Sequence, residues 1–183
     1  MRRLCVFCGS STGNDLAYIA AARELAGALV AAGHGLVYGG AHRGLMGVLA
    51  DAMLARGGDV IGVIPAYMAE REIAHRRLTQ LLVVQNMHER KATMAEHSAA
   101  FLALPGGFGT LDELMEAVTW RLLGLHDKPC GLLNTQGYFD PFIGFIDRMT
   151  QSGFVREEQA ATLRVAYTPA EAIAQLLPPA AAS

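Results

Sequence analysis

Charge is sparse in this chain: only 17% of residues carry it, and the net charge is −2. That balance offers no basic surface of the kind nucleic acid or an anionic membrane recruits, so neither partner is expected. Long apolar runs are missing as well. Gly, His, Asp or Arg interrupts each one well before bilayer-spanning length. The opening MRRLCVFCGSS has a basic start but too short an apolar stretch for a secretory signal, so a cytoplasmic protein is expected. Lysine is nearly absent. Only Lys91 and Lys128 occur, neither in the setting of a pyridoxal phosphate Schiff base, which argues against decarboxylation on that cofactor. The six histidines are scattered and none forms H-E-x-x-H, so no metal is expected. Linkers, low-complexity blocks and internal repeats are not found.

Cysteine is scarce too. Three thiols cannot all pair internally, and Cys5-x-x-Cys8 has no second C-x-x-C to complete a zinc site. The pair lies in a strand-like run, Leu4 to Cys8, where positions three apart face opposite ways. A thioredoxin-type pair would sit at a helix start instead. Structural thiols are expected, with Cys130 in the core of another strand.

What is present is a foldable chain: 183 residues, 52% of them apolar, enough for one domain over 1–183 with a substantial core. Its tail is expected to fray from about residue 178. Strand-like and amphipathic runs alternate throughout. Strands are read at 4–8, 35–38, 60–64, 81–84, 101–104 and 130–133, with a short edge strand at 164–166. Helices are read from Leu16 to Gly33, Gly44 to Ala55, Met87 to His97, from Leu111, from about Phe139 to Gln151, and from Pro169, which suits a first helical turn. The pattern predicts an α/β, Rossmann-like three-layer fold, a mainly parallel sheet of about six to seven strands with helices on both faces. The segment 66–79 is the least regular and the most charged, and a solvated face accounts for it equally well.

The central stretch is Phe101 to Leu123. An apolar strand ends in Pro105-Gly106-Gly107-Phe108-Gly109-Thr110, and a helix follows with apolar residues at Leu111, Leu114, Met115, Val118 and Leu122. In an open parallel sheet, ligands bind at the carboxyl ends of strands, and a helix start offers free N–H groups suited to phosphate. Thr110 with Glu113 also fits a capping box, which explains both residues without chemistry. Three glycines in four positions exceed what a turn needs and favour a ligand. Two further glycine turns, Cys8-Gly9-Ser10-Ser11 and Gly39-Gly40, follow strands and are placed to converge on the same edge. The spacing G-x-G-x-x-G, an acid ending the second strand, and G-x-x-x-x-G-K-[ST] are all missing. The site therefore suits a mononucleotide or sugar phosphate rather than a dinucleotide or a P-loop ligand. The helix opening Met87-His88-Glu89-Arg90-Lys91 should start at that edge. Arg90 can grip phosphate or ribose oxygens with its planar fork, the alternative being a surface pairing with Glu89.

Pro105 to Glu113 reads PGGxGTxxE, and with Met87-His88-Glu89-Arg90-Lys91, Val6 to Ser11, Tyr38-Gly39-Gly40, Gly44 to Gly47 and His126 to Pro129 it resembles the Lonely Guy family over nearly the whole chain. That family comprises cytokinin riboside 5′-monophosphate phosphoribohydrolases, often mislabelled lysine decarboxylases. Phe108 stands where many members carry Tyr, and Ala41-His42-Arg43 replaces smaller residues. The resemblance implies hydrolysis of the N-glycosidic bond of a nucleoside 5′-monophosphate, without a cofactor, by a homodimer. It implies that Arg90 and Glu113 are catalytic. It also implies substrate contacts from Glu72, Lys91, Gly107, Phe108, Gly109, Thr110, Leu111 and Thr119, with Gly9, Ser10, Gly39, Gly40 and Met87 around them. A non-catalytic nucleotide or cofactor carrier with the same crevice is the alternative.

Overall fold

The computed structural model describes residues 1–69 and 73–179. In chain order the elements are β1 (Arg3–Phe7), α1 (Leu16–Ala31), β2 (Gly35–Tyr38), α2 (Gly44–Leu54), β3 (Val60–Pro65), α3 (Ala66–Ala69), β4 (Gln80–Val84) and α4 (Met87–Glu96). They continue as β5 (Ala100–Ala103), α5 (Phe108–Leu122), β6 (Cys130–Leu133), a 3₁₀ turn (Thr135–Gly137), α6 (Asp140–Gln151), α7 (Glu157–Ala160), β7 (Leu163–Ala166) and α8 (Pro169–Leu176). Seven strands form one sheet in the order β4-β3-β2-β1-β5-β6-β7, and every pairing is parallel. The order reverses between β1 and β5, so a crevice is expected outside their carboxyl ends.

Strand alternation divides the core in two. Leu4, Val6, Leu36, Tyr38 and Leu102 face α1, α2 and α8, while Cys5, Val37, Ile61, Phe101 and Leu132 face α4, α5 and α6. Cys5 and Cys8 fall on opposite sides of the sheet, as the strand reading requires, and all three cysteines are buried and unpaired. Burial raises the Cys5 and Cys8 thiols well above their ordinary range and pushes Cys130 up to about 11. These thiols are inert packing groups.

The start of α5 differs from the expectation. The helix opens at Phe108, not Leu111, with Gly107 as an extended N-cap that has no side-chain hydrogen bond. Thr110 lies inside the first turn and is buried, its hydroxyl filling the space a side chain on Gly106 would need. No Thr110–Glu113 capping box forms, because Glu113 turns toward a distant partner. Glycine costs little where the first helical N–H groups have no intrahelical acceptor in any case.

The irregular segment after β3 begins with α3 and is then tied to the β2 glycine turn. His42 N–H donates to the Ile73 carbonyl (3.0 Å) and His75 N–H to the Gly40 carbonyl (2.8 Å). Arg76 and Arg77 are solvated, but His75 is buried, so the solvated-face reading holds for only part of it. The short α7 was not expected. Glu72 lies outside the described residues, as does most of the tail expected to fray (180–183). Among the described residues no helix is long and apolar enough to cross a membrane.

Candidate active site

The three glycine turns follow β1, β2 and β5, adjacent in the sheet, at their carboxyl ends, and the first and third touch. Gly9 N–H donates to the Pro105 carbonyl (3.1 Å), and Leu45 N–H, at the start of α2, donates to the Gly9 carbonyl (3.0 Å). A side chain at Gly9 would press on the backbone of Ser11, Pro105 and Gly106, so glycine there permits the close approach of the two loops. A cleft of about 300 Å³ opens between them, walled by Ser10, Ser11, Tyr18, Gly106, Gly107 and Tyr138. At Gly107 and Gly109 the space that a side chain would occupy is empty. The first turn of α5 thus shows bare backbone, with helix-terminal N–H groups and partial positive charge, to the exterior.

On the other side of the α5 start lies a buried ion pair. Asn86 caps α4 by accepting from Glu89 N–H (2.9 Å), and the helix carries Arg90 inward. Arg90 Nε donates to the Val63 carbonyl (3.1 Å) and Nη1 donates to Glu113 Oε1 (2.6 Å). Its Nη2 occupies the volume that a Cβ on Gly39 would claim, so this glycine, the first residue after β2, makes room for the guanidinium. The surface pairing with Glu89 does not occur, since Glu89 Oε2 accepts from Gln85 N–H. Only 8% of the Arg90 side chain and 10% of the Glu113 side chain reach solvent. Removing one partner of such a pair typically costs about 3–5 kcal/mol, because the other charge is stranded.

Burial raises the Glu113 carboxyl above its ordinary value, and the charge and hydrogen bond of Arg90 pull it back. Desolvation makes the carboxyl a stronger base, and the guanidinium offsets part of that rise and orients the group.

The other expected contacts separate into groups. Gly9, Gly39 and Gly40 are buried in the floor of the turns, and Ser10 is exposed at the cleft. Met87 is half-buried at the start of α4, and Leu111 packs on the core beneath α5. Phe108 is 94% exposed at the helix tip. Lys91 is held by two acids: its Nζ bridges Asp112 Oδ2 (3.2 Å) and Glu116 Oε2 (2.8 Å) on α5. Thr119 is exposed near the far end of α5, remote in sequence from the glycine turn. Tyr18, Tyr138 and the Val63 carbonyl escaped the sequence reading, because no local pattern marks a residue that reaches the site across the sheet. Among the described residues no three His, Cys, Asp or Glu side chains gather closely enough to hold a metal ion.

The family model described as "Possible lysine decarboxylase" matches residues 46–176. The cytokinin riboside 5′-monophosphate phosphoribohydrolase LOG1 of Arabidopsis thaliana is 51% identical over 154 residues, covering 84% of this chain and 72% of that protein. The chain belongs to the Lonely Guy family. The enzyme of the same description from Oryza sativa subsp. japonica, LOG, is 47% identical over 96% of this chain and 72% of its own length. The fold reaches beyond the Lonely Guy proteins. The molybdenum cofactor carrier protein of Chlamydomonas reinhardtii superposes with a TM-score of 0.69 at 23% identity, over 96% of this chain and 98% of that one. At that identity the likeness is one of architecture.

Proposed function

We propose that this protein hydrolyses the N-glycosidic bond of adenosine 5′-monophosphates, plain or N6-substituted as in cytokinin ribosides, releasing the free base and ribose 5-phosphate. The observation that carries the reading is the Arg90–Glu113 pair, buried beside a helix start whose glycines are left bare. The phosphate docks on the amides of the Gly107–Gly109 turn, where the helix terminus contributes about 0.3–2 kcal/mol of charge attraction. Breaking the bond leaves its electron pair on the base nitrogen, which takes up a proton from solvent, and develops positive charge on the ribose; water then adds to the anomeric carbon. Glu113 takes that water's proton, worth roughly 10²–10⁴-fold in rate, or about 3–5.5 kcal/mol. The rest of the acceleration comes from holding the phosphate and from the carboxylate's field on the ribosyl cation. Arg90 offsets part of the rise that burial gives Glu113, and its remaining donors serve ribose or phosphate oxygens. No metal or other cofactor enters this scheme.

Phe108, Thr119 and Leu122 fall on one face of α5 at i, i+11 and i+14, and all are exposed. Together with exposed Leu123 and Leu125, this stripe suits a second copy of the chain. We take the protein as a cytoplasmic homodimer, in which Thr119 meets substrate from the partner copy. Glu72 and Lys91 complete the substrate contacts, Lys91 after release from Asp112 or Glu116.

Incubation with AMP and assay of free adenine tests the activity, and parallel use of isopentenyladenosine monophosphate ranks the bases. Binding of AMP without release of adenine overturns hydrolysis and leaves the carrier reading. The depth at which Glu113 is buried is the one observation favouring that second reading.

A further inference from the structure

Between β6 and α6 a residue other than glycine enters the left-handed region, the one such case among the described residues: Gln136 at φ 54, followed by Gly137 at φ 68. That region is unfavourable for side-chain-bearing L-residues, and it persists only where the surroundings over-determine it. Here they do. Asn134 is 2% exposed, its Nδ2 donates to Asp140 Oδ1 (2.7 Å) and its Oδ1 accepts from Phe139 N–H (2.8 Å).

The product of this built turn is the placement of Tyr138. Its ring packs edge-on against Tyr18 (centroids 5.7 Å apart, 77° between planes), and its hydroxyl donates to the Gly106 carbonyl (2.5 Å), 32 residues away in the chain. The Gly106 carbonyl and the Gly107 N–H belong to one planar trans peptide and point in opposite directions. Fixing the carbonyl therefore fixes the aim of the amide. Among the described residues the Gly107 N–H has no backbone acceptor, and the volume beside its Cα is open. Thr110 wedges Gly106 from beneath, so Tyr138 from above completes the grip on that peptide.

We infer that Tyr138 is a positioning residue: its phenol orients the Gly106–Gly107 peptide so that the Gly107 amide faces the phosphate of the substrate. The inference rests on the docking of phosphate at this turn proposed above. No covalent or proton-transfer step is involved, and Tyr138 need not touch the reacting atoms.

The test is Tyr138→Phe, which removes the hydroxyl and keeps the ring contact with Tyr18. Losing one such hydrogen bond should raise KM for AMP about fivefold while kcat stays within about twofold. Calorimetric affinity for ribose 5-phosphate should fall by the same factor, and that for adenosine, which lacks the phosphate, should not change. An unchanged KM overturns the inference, as does a loss shared by adenosine or a fall in kcat alone. If the unaltered protein releases no adenine from AMP, hydrolysis fails but the ribose 5-phosphate titration still decides the role of Tyr138. If the unaltered protein binds no ribose 5-phosphate, the inference falls with the phosphate site.

Discussion

The two sides of the α5 start are built on opposite principles. On the α1–α2 side, the cleft is mostly backbone: glycine turns, a serine-bearing loop and two phenol rings, with open space beside Gly107 and Gly109. On the α4–α5 side, the Arg90–Glu113 pair is packed against Gly39, just after β2, and the Val63 carbonyl of β3, and is nearly withdrawn from solvent. Recognition of phosphate asks for exposed N–H groups and little else. Basicity asks for the reverse, a carboxylate taken out of water and held by one strong partner. In the proposed reaction one helix can serve both, because its first turn ends the loop while Glu113, lying deeper along the same helix, faces inward.

The sharpest way to break that division is Glu113→Gln. The amide keeps an acceptor for Arg90 but cannot take a proton from water, so kcat should fall by roughly 10²–10⁴-fold. AMP affinity should stay within a few-fold, because the amide leaves the Gly107–Gly109 turn untouched and still accepts from Arg90. Normal turnover in this variant would end the assignment of Glu113 as general base.

Arg90→Met should act through stability and pH together. Stranding Glu113 costs about 3–5 kcal/mol if the carboxylate stays charged, and the group escapes that cost by taking up a proton. Arg90 lowers a carboxyl that burial raises, so its removal lifts Glu113 further. Activity needs the ionised form, and the acid limb of the pH–rate profile should move to higher pH. The stability sign follows from the same shift. A folded-state value above the unfolded one gives stability that is full below the ordinary glutamate range and is lost as pH rises through the raised value. The variant should therefore lose more stability than the unaltered protein between mildly acidic and neutral pH in denaturant titrations. An unshifted acid limb would place Arg90's influence elsewhere.

Much of the scaffold was legible before any coordinates. The limits of β2 and β6 follow from short apolar runs bounded by turn residues, and Pro169 sits in the first turn of α8 as its fixed φ suggests. The start of α5 is less legible, because its glycines read as breakers although Gly107 serves as the cap and Gly109 lies within the helix. Thr110-x-x-Glu113 met the local rule for a capping box. A partner 23 residues away then claimed the carboxylate, and no local spacing reports such a competitor. Lys91 is legible only in part: its place beside Arg90 is plain in the sequence, but its neighbours in space are two acids of α5. Tyr138 carries no local signal because it reaches the Gly106 carbonyl from the turn after β6, 32 residues away.

Gly39 lies at the seam between the two regions. Its neighbour Gly40 continues the turn with a positive φ, whereas Gly39 matters for the volume it leaves to Arg90. Gly39→Ala sets a methyl against the guanidinium, which must shift off the Val63 carbonyl or off Glu113. Overpacking of this kind costs about 1–3 kcal/mol, and kcat should fall about tenfold or more through the displaced pair. A variant with intact stability and turnover would show that Arg90 tolerates repositioning and that the packed side is looser than its geometry implies.

Gly109→Ala should give the smallest structural effect and the cleanest separation of the two sides. The added Cβ meets nothing within 4 Å, and alanine is favoured over glycine in a helix by up to about 1 kcal/mol, so thermal stability should be unchanged or slightly raised. The same methyl enters the space in which the phosphate is proposed to rest, and KM for AMP should rise with little change in the pH dependence of kcat. Greater stability with unaltered KM would mean that the bare turn faces solvent without a ligand, and the phosphate would have to be sought deeper in the cleft beside Tyr18.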